Sequence, residues 1–246
     1  MTPSLLYLDG VEVSFDGFRA LRGLSLSLSR GEMRAIIGPN GAGKSTMMDV
    51  VTGKTRPDKG DVLFDGVHDL TGLDEAEIAA LGIGRKFQRP TVFDSLPVAD
   101  NLALALAGPR GTWAALRGGR DAAARARIDA LLDRARLGDR RADPAGALSH
   151  GQRQWLEIGM LLAQDPKLLL VDEPAAGMTD AETADTAELL KSLAGERSIV
   201  VVEHDMAFVR ALGVSVTVLH EGAVLAEGPL DVVSADPRVV EVYLGR

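Results

Sequence analysis

Apolar and polar residues alternate from the start of the chain. Leu6, Leu8, Val11, Val13 and Phe15 mark one run, and Leu24, Leu26 and Leu28 a second. A period of two predicts strands with one face in water. Residues 61–66 predict a short strand ending in a turn, and residues 75–81 a short helix, before residues 83–88 lead out of this first half. From about residue 90 to 163 the period becomes helical. Val98, Leu102, Leu104 and Leu106 share one predicted helix. Ile128, Leu131, Leu132 and Ala135 fall at i, i+3, i+4 and i+7 on a second, and a third runs over 152–164. Residues 108–120, rich in Gly and Arg, read as an exposed loop or a frayed helix. Strand patterns then return. Leu168-Leu169-Leu170-Val171 and Ser198-Ile199-Val200-Val201-Val202 are continuous apolar runs, as strands buried on both faces require. A helix over 180–193 separates them, and residues 214–219 and 223–226 form a hairpin around His220-Glu221-Gly222. The layout is an α/β core interrupted by a helical insertion.

Between the strand over 33–37 and a helix over 44–51 lies Gly38-Pro39-Asn40-Gly41-Ala42-Gly43-Lys44-Ser45-Thr46, a full match to G-x-x-x-x-G-K-[ST]. Glycines allow the sharp backbone turn that points N–H groups inward at a polyphosphate. Lys44 supplies a point charge for the β- and γ-phosphates, and the Ser45 hydroxyl is placed to ligate Mg²⁺. The phosphates would sit on the positive N-terminus of the helix. Downstream, the run over 168–171 delivers Asp172 and Glu173 at a strand's C-terminal edge, where ligands bind in open α/β sheets. Asp172 is expected to hold Mg²⁺ through water, and Glu173 to orient or deprotonate the attacking water. Before that strand, Ser149 precedes Gly151 and Gln152 at a helix start, either as an N-cap or as a phosphate ligand.

Composition narrows the class. The 246 residues suffice for one large α/β domain, or for a core with a small lobe. No run of about 18 apolar residues occurs, so the chain is not expected to span a membrane by itself. The start lacks the basic and apolar regions of a signal peptide. Cysteine is absent, which excludes disulfides and thiolate metal sites and fits a cytosolic protein. The net charge of −8 weighs against a nucleic-acid partner. Residues 110–141 break that trend with nine arginines against four aspartates. They form either a solvated helical face or a contact surface for a partner or for lipid headgroups.

The glycine-rich loop, Leu148-Ser149-His150-Gly151-Gln152 and Leu169-Leu170-Val171-Asp172-Glu173-Pro174, in this order, resemble the ATP-binding cassette of ABC transporters over the whole chain. The resemblance implies a P-loop NTPase with a RecA-like core, an N-terminal antiparallel β-subdomain and an inserted α-helical subdomain. Residues 1–246 would be one nucleotide-binding domain, with 1–89 and 164–246 as the catalytic core. Residues 90–163 would be the helical subdomain carrying the signature residues Ser149, Gly151 and Gln152. It further implies ATP and Mg²⁺ as cofactors. Gln88 would sense the metal and face the membrane subunits, and His204 would be the switch histidine at the γ-phosphate. Phe15 would stack on adenine; Phe18 is its possible substitute, and Phe15 could also be core.

Two departures stand out. His150 replaces the commoner glycine of the signature, and Ala175-Ala176-Gly177-Met178 replaces the usual Ser-Ala-Leu-Asp. Both suit the branched-chain amino acid, amide and urea importer group. Residues 15–21 and 236–245 resemble the same group. Residues 83–88, 155–167 and 176–183 are similar to the urea importer's ATPase subunit. The implied partners are two permease subunits, a second cassette in a head-to-tail dimer and, indirectly, an extracytoplasmic solute-binding protein. The chain would sit on the cytoplasmic face of the inner membrane. Cassette ATPases of DNA maintenance carry a long coiled coil, and translation-associated ones carry two cassettes; neither feature is present.

Overall fold

The computed structural model describes residues 4–86, 92–106 and 122–244. Gln88, together with Phe87 and Pro90, and the stretch over 108–120 lie outside the described residues. In chain order the first half comprises β1 (Ser4–Phe15), β2 (Phe18–Ser29), β3 (Met33–Ile37), α1 (Lys44–Val51), β4 (Lys59–Phe64), β5 (His68–Asp69), α2 (Glu75–Ala80) and β6 (Ile83–Lys86). The middle holds α3 (Val98–Ala105), α4 (Ala122–Arg134) and α5 (His150–Leu162). The last part comprises β7 (Leu168–Asp172), α6 (Asp180–Leu193), β8 (Ser198–Val202), α7 (Met206–Leu212), β9 (Ser215–His220), β10 (Ala223–Pro229), α8 (Leu230–Ser234) and α9 (Pro237–Leu244).

Two sheets carry the fold. The alternating N-terminal strands pair antiparallel in the order β2-β1-β4-β5. The register shifts between Leu8 and Val11 against β2. This bulge returns Val11 and Val13 to the face already buried by Leu6 and Leu8. The second sheet has the order β10-β9-β3-β8-β7-β6, parallel except for the β9–β10 hairpin. Its central strands bury both faces, which explains their unbroken apolar runs. Strand alternation sends Ile36, Leu168, Leu170, Val200 and Val202 into one core with α1 and the first sheet. Their neighbours Leu169, Val171, Ile199 and Val201 enter a second core with α3–α7.

The helix over 98–105 departs from expectation. Leu104 is 57% exposed, and Leu106 follows the last helical turn. The buried stripe is instead Val98, Asn101 and Leu102, at i, i+3 and i+4. Fully buried Asn101 is satisfied by backbone: it accepts from Phe93 N–H at 2.7 Å and donates to Phe93, Leu96 and Pro97 carbonyls. β6, α7, α8 and α9 are further elements that the pattern reading did not assign. Within the arginine-rich stretch, Arg134 pairs with Glu196, Arg136 with Asp185, Arg140 with Asp143 and Arg141 with Asp129. These pairs are the features of a solvated, locally neutralised face.

Candidate functional site

Three adjacent strands, β3, β8 and β7, end side by side and bring their following loops together. The loop after β3 is the glycine-rich one. A Cβ on Gly38 would fall 2.2 Å from the Leu219 carbonyl oxygen, and one on Gly43 (φ 100°) 2.8 Å from the Ala20 carbonyl oxygen. Only glycine lets this loop lie so close to β9 and β2. Lys44 is half-buried, and its Nζ donates to the Gly38 and Pro39 carbonyls at 2.6 and 3.0 Å. The first internal bond of α1 runs from Met47 N–H to Gly43 O at 2.8 Å. The N–H groups of Lys44, Ser45 and Thr46 therefore precede the ladder, and Gly43 provides no side-chain cap. By contrast α2, α5, α6 and α7 are capped by Asp74, Ser149, Thr179 and Asp205. Asn40, Gly41 and Ser45 are exposed, while Ala42 is buried and closes the loop by accepting from Gly222 N–H at 3.0 Å.

Asp172 ends β7, buried, with Arg85 Nη2 3.7 Å from its Oδ2. Arg85 also pairs with Asp49 of α1, which links this carboxylate to the helix behind the loop. Glu173 adopts a left-handed backbone (φ 46°), fixed by its N–H donating to Val202 O at 2.9 Å. That turn leaves its side chain 36% exposed, with Oε1 3.6 Å from His204 Nδ1. The structure thus brings Lys44, Asp172, Glu173 and His204 to one sheet edge. Phe15 lies opposite Phe18 across the β1–β2 turn, 48% exposed, on the hairpin whose Ala20 touches Gly43. An exposed aromatic there is available for stacking and is not part of the core.

The signature stands apart. Ser149 caps α5, accepting from Gln152 N–H at 3.2 Å while Gln152 Oε1 accepts from Ser149 N–H at 3.0 Å. This reciprocal pair is a capping box, with glutamine in the third helical position. Among the described residues, no hydrogen bond runs from Ser149, Gly151 or Gln152 to the glycine-rich loop.

The electrostatics fit Mg²⁺ and a polyphosphate. Burial lowers the Lys44 ammonium below its ordinary pKa, against the pull of Glu173 and Asp172. Burial raises the Asp172 carboxyl, with Arg85 opposing and Glu173 reinforcing. Burial is the first cause of both shifts, and an anion on Lys44 with a cation at Asp172 would offset it. The donor set is sparse: among the described residues no group of three or more carboxylates and imidazoles clusters. One carboxylate and a hydroxyl suit Mg²⁺, which keeps waters and takes phosphate oxygens.

A stability consequence follows. The folded chain holds the Asp172 proton more tightly than the unfolded chain, so this group's contribution is present below the ordinary Asp range. It is lost as pH rises through the raised pKa. Asp172→Asn is therefore expected to melt a few degrees higher than the parent at pH 7–8 without nucleotide, on the order of 2–4 °C. Melting across pH checks this; a lower midpoint at every pH contradicts it.

Sequence reasoning missed several supports of this site. Glu203 is 1% exposed, and its carboxylate accepts from Ala175 N–H at 3.0 Å, His204 N–H at 2.9 Å and Asp205 N–H at 3.2 Å. One buried anion therefore holds the turns that follow β7 and β8 together. Its one sequence signal is an acid ending an otherwise apolar strand. From α9, Tyr243 comes up to the glycine-rich loop: burial pushes its phenol up to about 12, and the nearby Gly38 backbone opposes that rise.

An uncapped helix after a glycine-rich turn, with paired acids at the end of another strand of the same sheet, defines a P-loop nucleotide hydrolase. The ABC transporter family model matches residues 21–176, and the branched-chain amino acid ATP-binding cassette transporter model matches residues 223–246. The chain is similar to the high-affinity branched-chain amino acid transport ATP-binding protein BraF of Pseudomonas aeruginosa, at 33% identity over 100% of this chain and 99% of that one. It resembles the ADP conformation of MJ1267, an ATP-binding cassette of an ABC transporter, at TM-score 0.83 and 29% identity over 100% of both chains. It also resembles the dimeric bacterial cassette MJ0796, at TM-score 0.75 and 28% identity over 92% of this chain and 98% of that one. The chain belongs to the ABC transporter family, as an ATP-binding subunit of the group that includes BraF. It is an ATPase that uses ATP and Mg²⁺ and couples hydrolysis to transport.

Proposed function

We propose that the chain powers an importer by closing and opening a two-cassette sandwich. The observation that carries this reading is the separation of its parts. Lys44, Asp172, Glu173 and His204 share one sheet edge, whereas Ser149 is mounted on α5 with no bond to them. In a head-to-tail dimer, the Gly38–Thr46 loop would cradle one ATP, and Ser149, Gly151 and Gln152 would complete the other cassette's site. Phe15 would stack on the adenine. Ser45, Asp172 and Gln88 would hold Mg²⁺, which supplies charge neutralisation at the phosphates. Glu173 would take the proton from the attacking water, and His204 would contact the γ-phosphate. Residues 1–89 and 164–246 serve as the catalytic core, and residues 90–163 as the helical subdomain.

The second cassette is a copy of this chain or a similar one. Two permease subunits, fed by an extracytoplasmic solute-binding protein, complete the importer. No helix among the described residues is long and apolar enough to cross a membrane, and attachment at the cytoplasmic face would run through the permeases. A cleft of about 360 Å³ lined by Lys86, Phe93, Leu104, Glu157 and Met160 supports that docking. Phe93 and Leu104 expose 54% and 57% of their surface there. Leu104→Glu is expected to keep the ATPase rate of the isolated chain within about twofold while abolishing solute uptake in cells. Uptake at the parent level contradicts this docking face.

The proposed solute is urea or a short amide, supported by the likeness of residues 83–88, 155–167 and 176–183 to urea-importer ATPase subunits. A second reading, branched-chain amino acids, is favoured by the match over 223–246 and by BraF. Deleting the gene and measuring uptake of labelled urea, acetamide and leucine separates them. Loss of urea or acetamide uptake alone supports the first, and loss of leucine uptake alone overturns it.

A further inference from the structure

The two departures from the common cassette pattern touch each other. His150 Nε2 lies 2.9 Å from the Ala176 carbonyl oxygen. A carbonyl only accepts, so this nitrogen carries the proton and donates. The ring lies over the next residue: a Cβ on Gly177 would stand 3.4 Å from the same nitrogen. A glycine at position 150 could not make this bond. Ser149 makes a second tie, donating its hydroxyl to Glu182 Oε1 at 2.7 Å. Glu182 Oε2 accepts in turn from Thr179 N–H at 3.1 Å and Thr179 Oγ1 at 3.0 Å. These bonds, led by the Thr179 N–H, hold the Glu182 carboxyl below the ordinary carboxylate range. Gly151 packs so closely on it that a Cβ there would fall 2.7 Å from the carboxyl carbon. One carboxylate therefore caps α6 and grips the start of α5.

We infer that His150 and Glu182 are positioning residues that fasten the signature turn to the segment following Glu173 within one chain. The inference rests on the two-cassette reading. Ser149 serves the nucleotide held by the partner cassette, and Glu173 serves the chain's own. Two bonds from adjacent residues, to points six residues apart at 176 and 182, resist both sliding and rotation of the turn; one bond would leave a hinge. A displacement at one nucleotide is then transmitted to the other through this chain. The ties are near solvent and contribute little to overall stability, so their effect lies in geometry.

The test measures ATPase rate against MgATP concentration for the full chain, with nucleotide affinity titrated separately. His150→Ala is expected to lower kcat on the order of tenfold and to reduce cooperativity, with MgATP affinity within about twofold. His150→Gln, whose terminal amide can donate to the same carbonyl, is expected to recover most of the rate. Glu182→Ala is expected to act in the same direction. Combined with His150→Ala, it should lower kcat by less than the product of the two single effects, because both act on one link. A parent-like kcat for both alanine variants overturns the inference, as does His150→Gln falling as far as His150→Ala. Ser149→Ala separates the two levels. If it turns over at the parent rate, the sandwich reading itself fails. If it is inactive while His150→Ala and Glu182→Ala are parent-like, only the fastening role fails.

Discussion

Glu173→Gln is expected to bind MgATP as tightly as the parent and to hydrolyse it about 10²- to 10⁴-fold more slowly. The left-handed turn at Glu173 leaves its carboxylate partly exposed at the sheet edge beside His204, whereas Asp172 is buried. Glutamine keeps the shape and the backbone bond to Val202 but cannot accept a proton from water. The ATP-bound state should therefore accumulate, and with it the two-cassette form. Single-turnover hydrolysis with labelled ATP measures the step. A rate within about threefold of the parent would remove Glu173 from the role of base.

Lys44→Ala should act on binding before chemistry. The ammonium is preorganised by the Gly38 and Pro39 carbonyls, and its pKa is lowered by burial. A polyphosphate supplies the anion that the loop lacks, through charge-assisted bonds each worth about 1.5–3 kcal/mol. Losing one such bond is expected to weaken ATP binding on the order of 10- to 100-fold. A fluorescent ATP analogue titrated into both proteins measures this, and an unchanged Kd would contradict the cradle.

Much of this architecture is legible in the sequence because it is local. Strand, glycine turn and helix follow one another over 33–51, and the apolar run over 168–171 announces a buried strand whose acids must emerge at its edge. The capping box at Ser149 and Gln152 is likewise written within four residues. The supports of the site are not local. Glu203 acts on Ala175, and Glu182 on Ser149, across gaps that periodicity does not encode. Arg85 reads as a charge in a short segment, yet it is buried between Asp49 and Asp172. Leu104 lies six residues after Val98, off the helical stripe of Val98, Asn101 and Leu102, and is exposed for that reason. Tyr243 reaches Gly38 from the far end of the chain. The solute leaves no trace in these residues, which the proposed function assigns to ATP and not to the cargo.

Sedimentation of Glu173→Gln with saturating MgATP tests the sandwich most directly. The account predicts a two-chain species with ATP, a single chain with ADP, and loss of the two-chain species when Ser149→Arg is added. A protein that binds ATP at full stoichiometry yet sediments as one chain contradicts it, as does a dimer indifferent to Ser149→Arg.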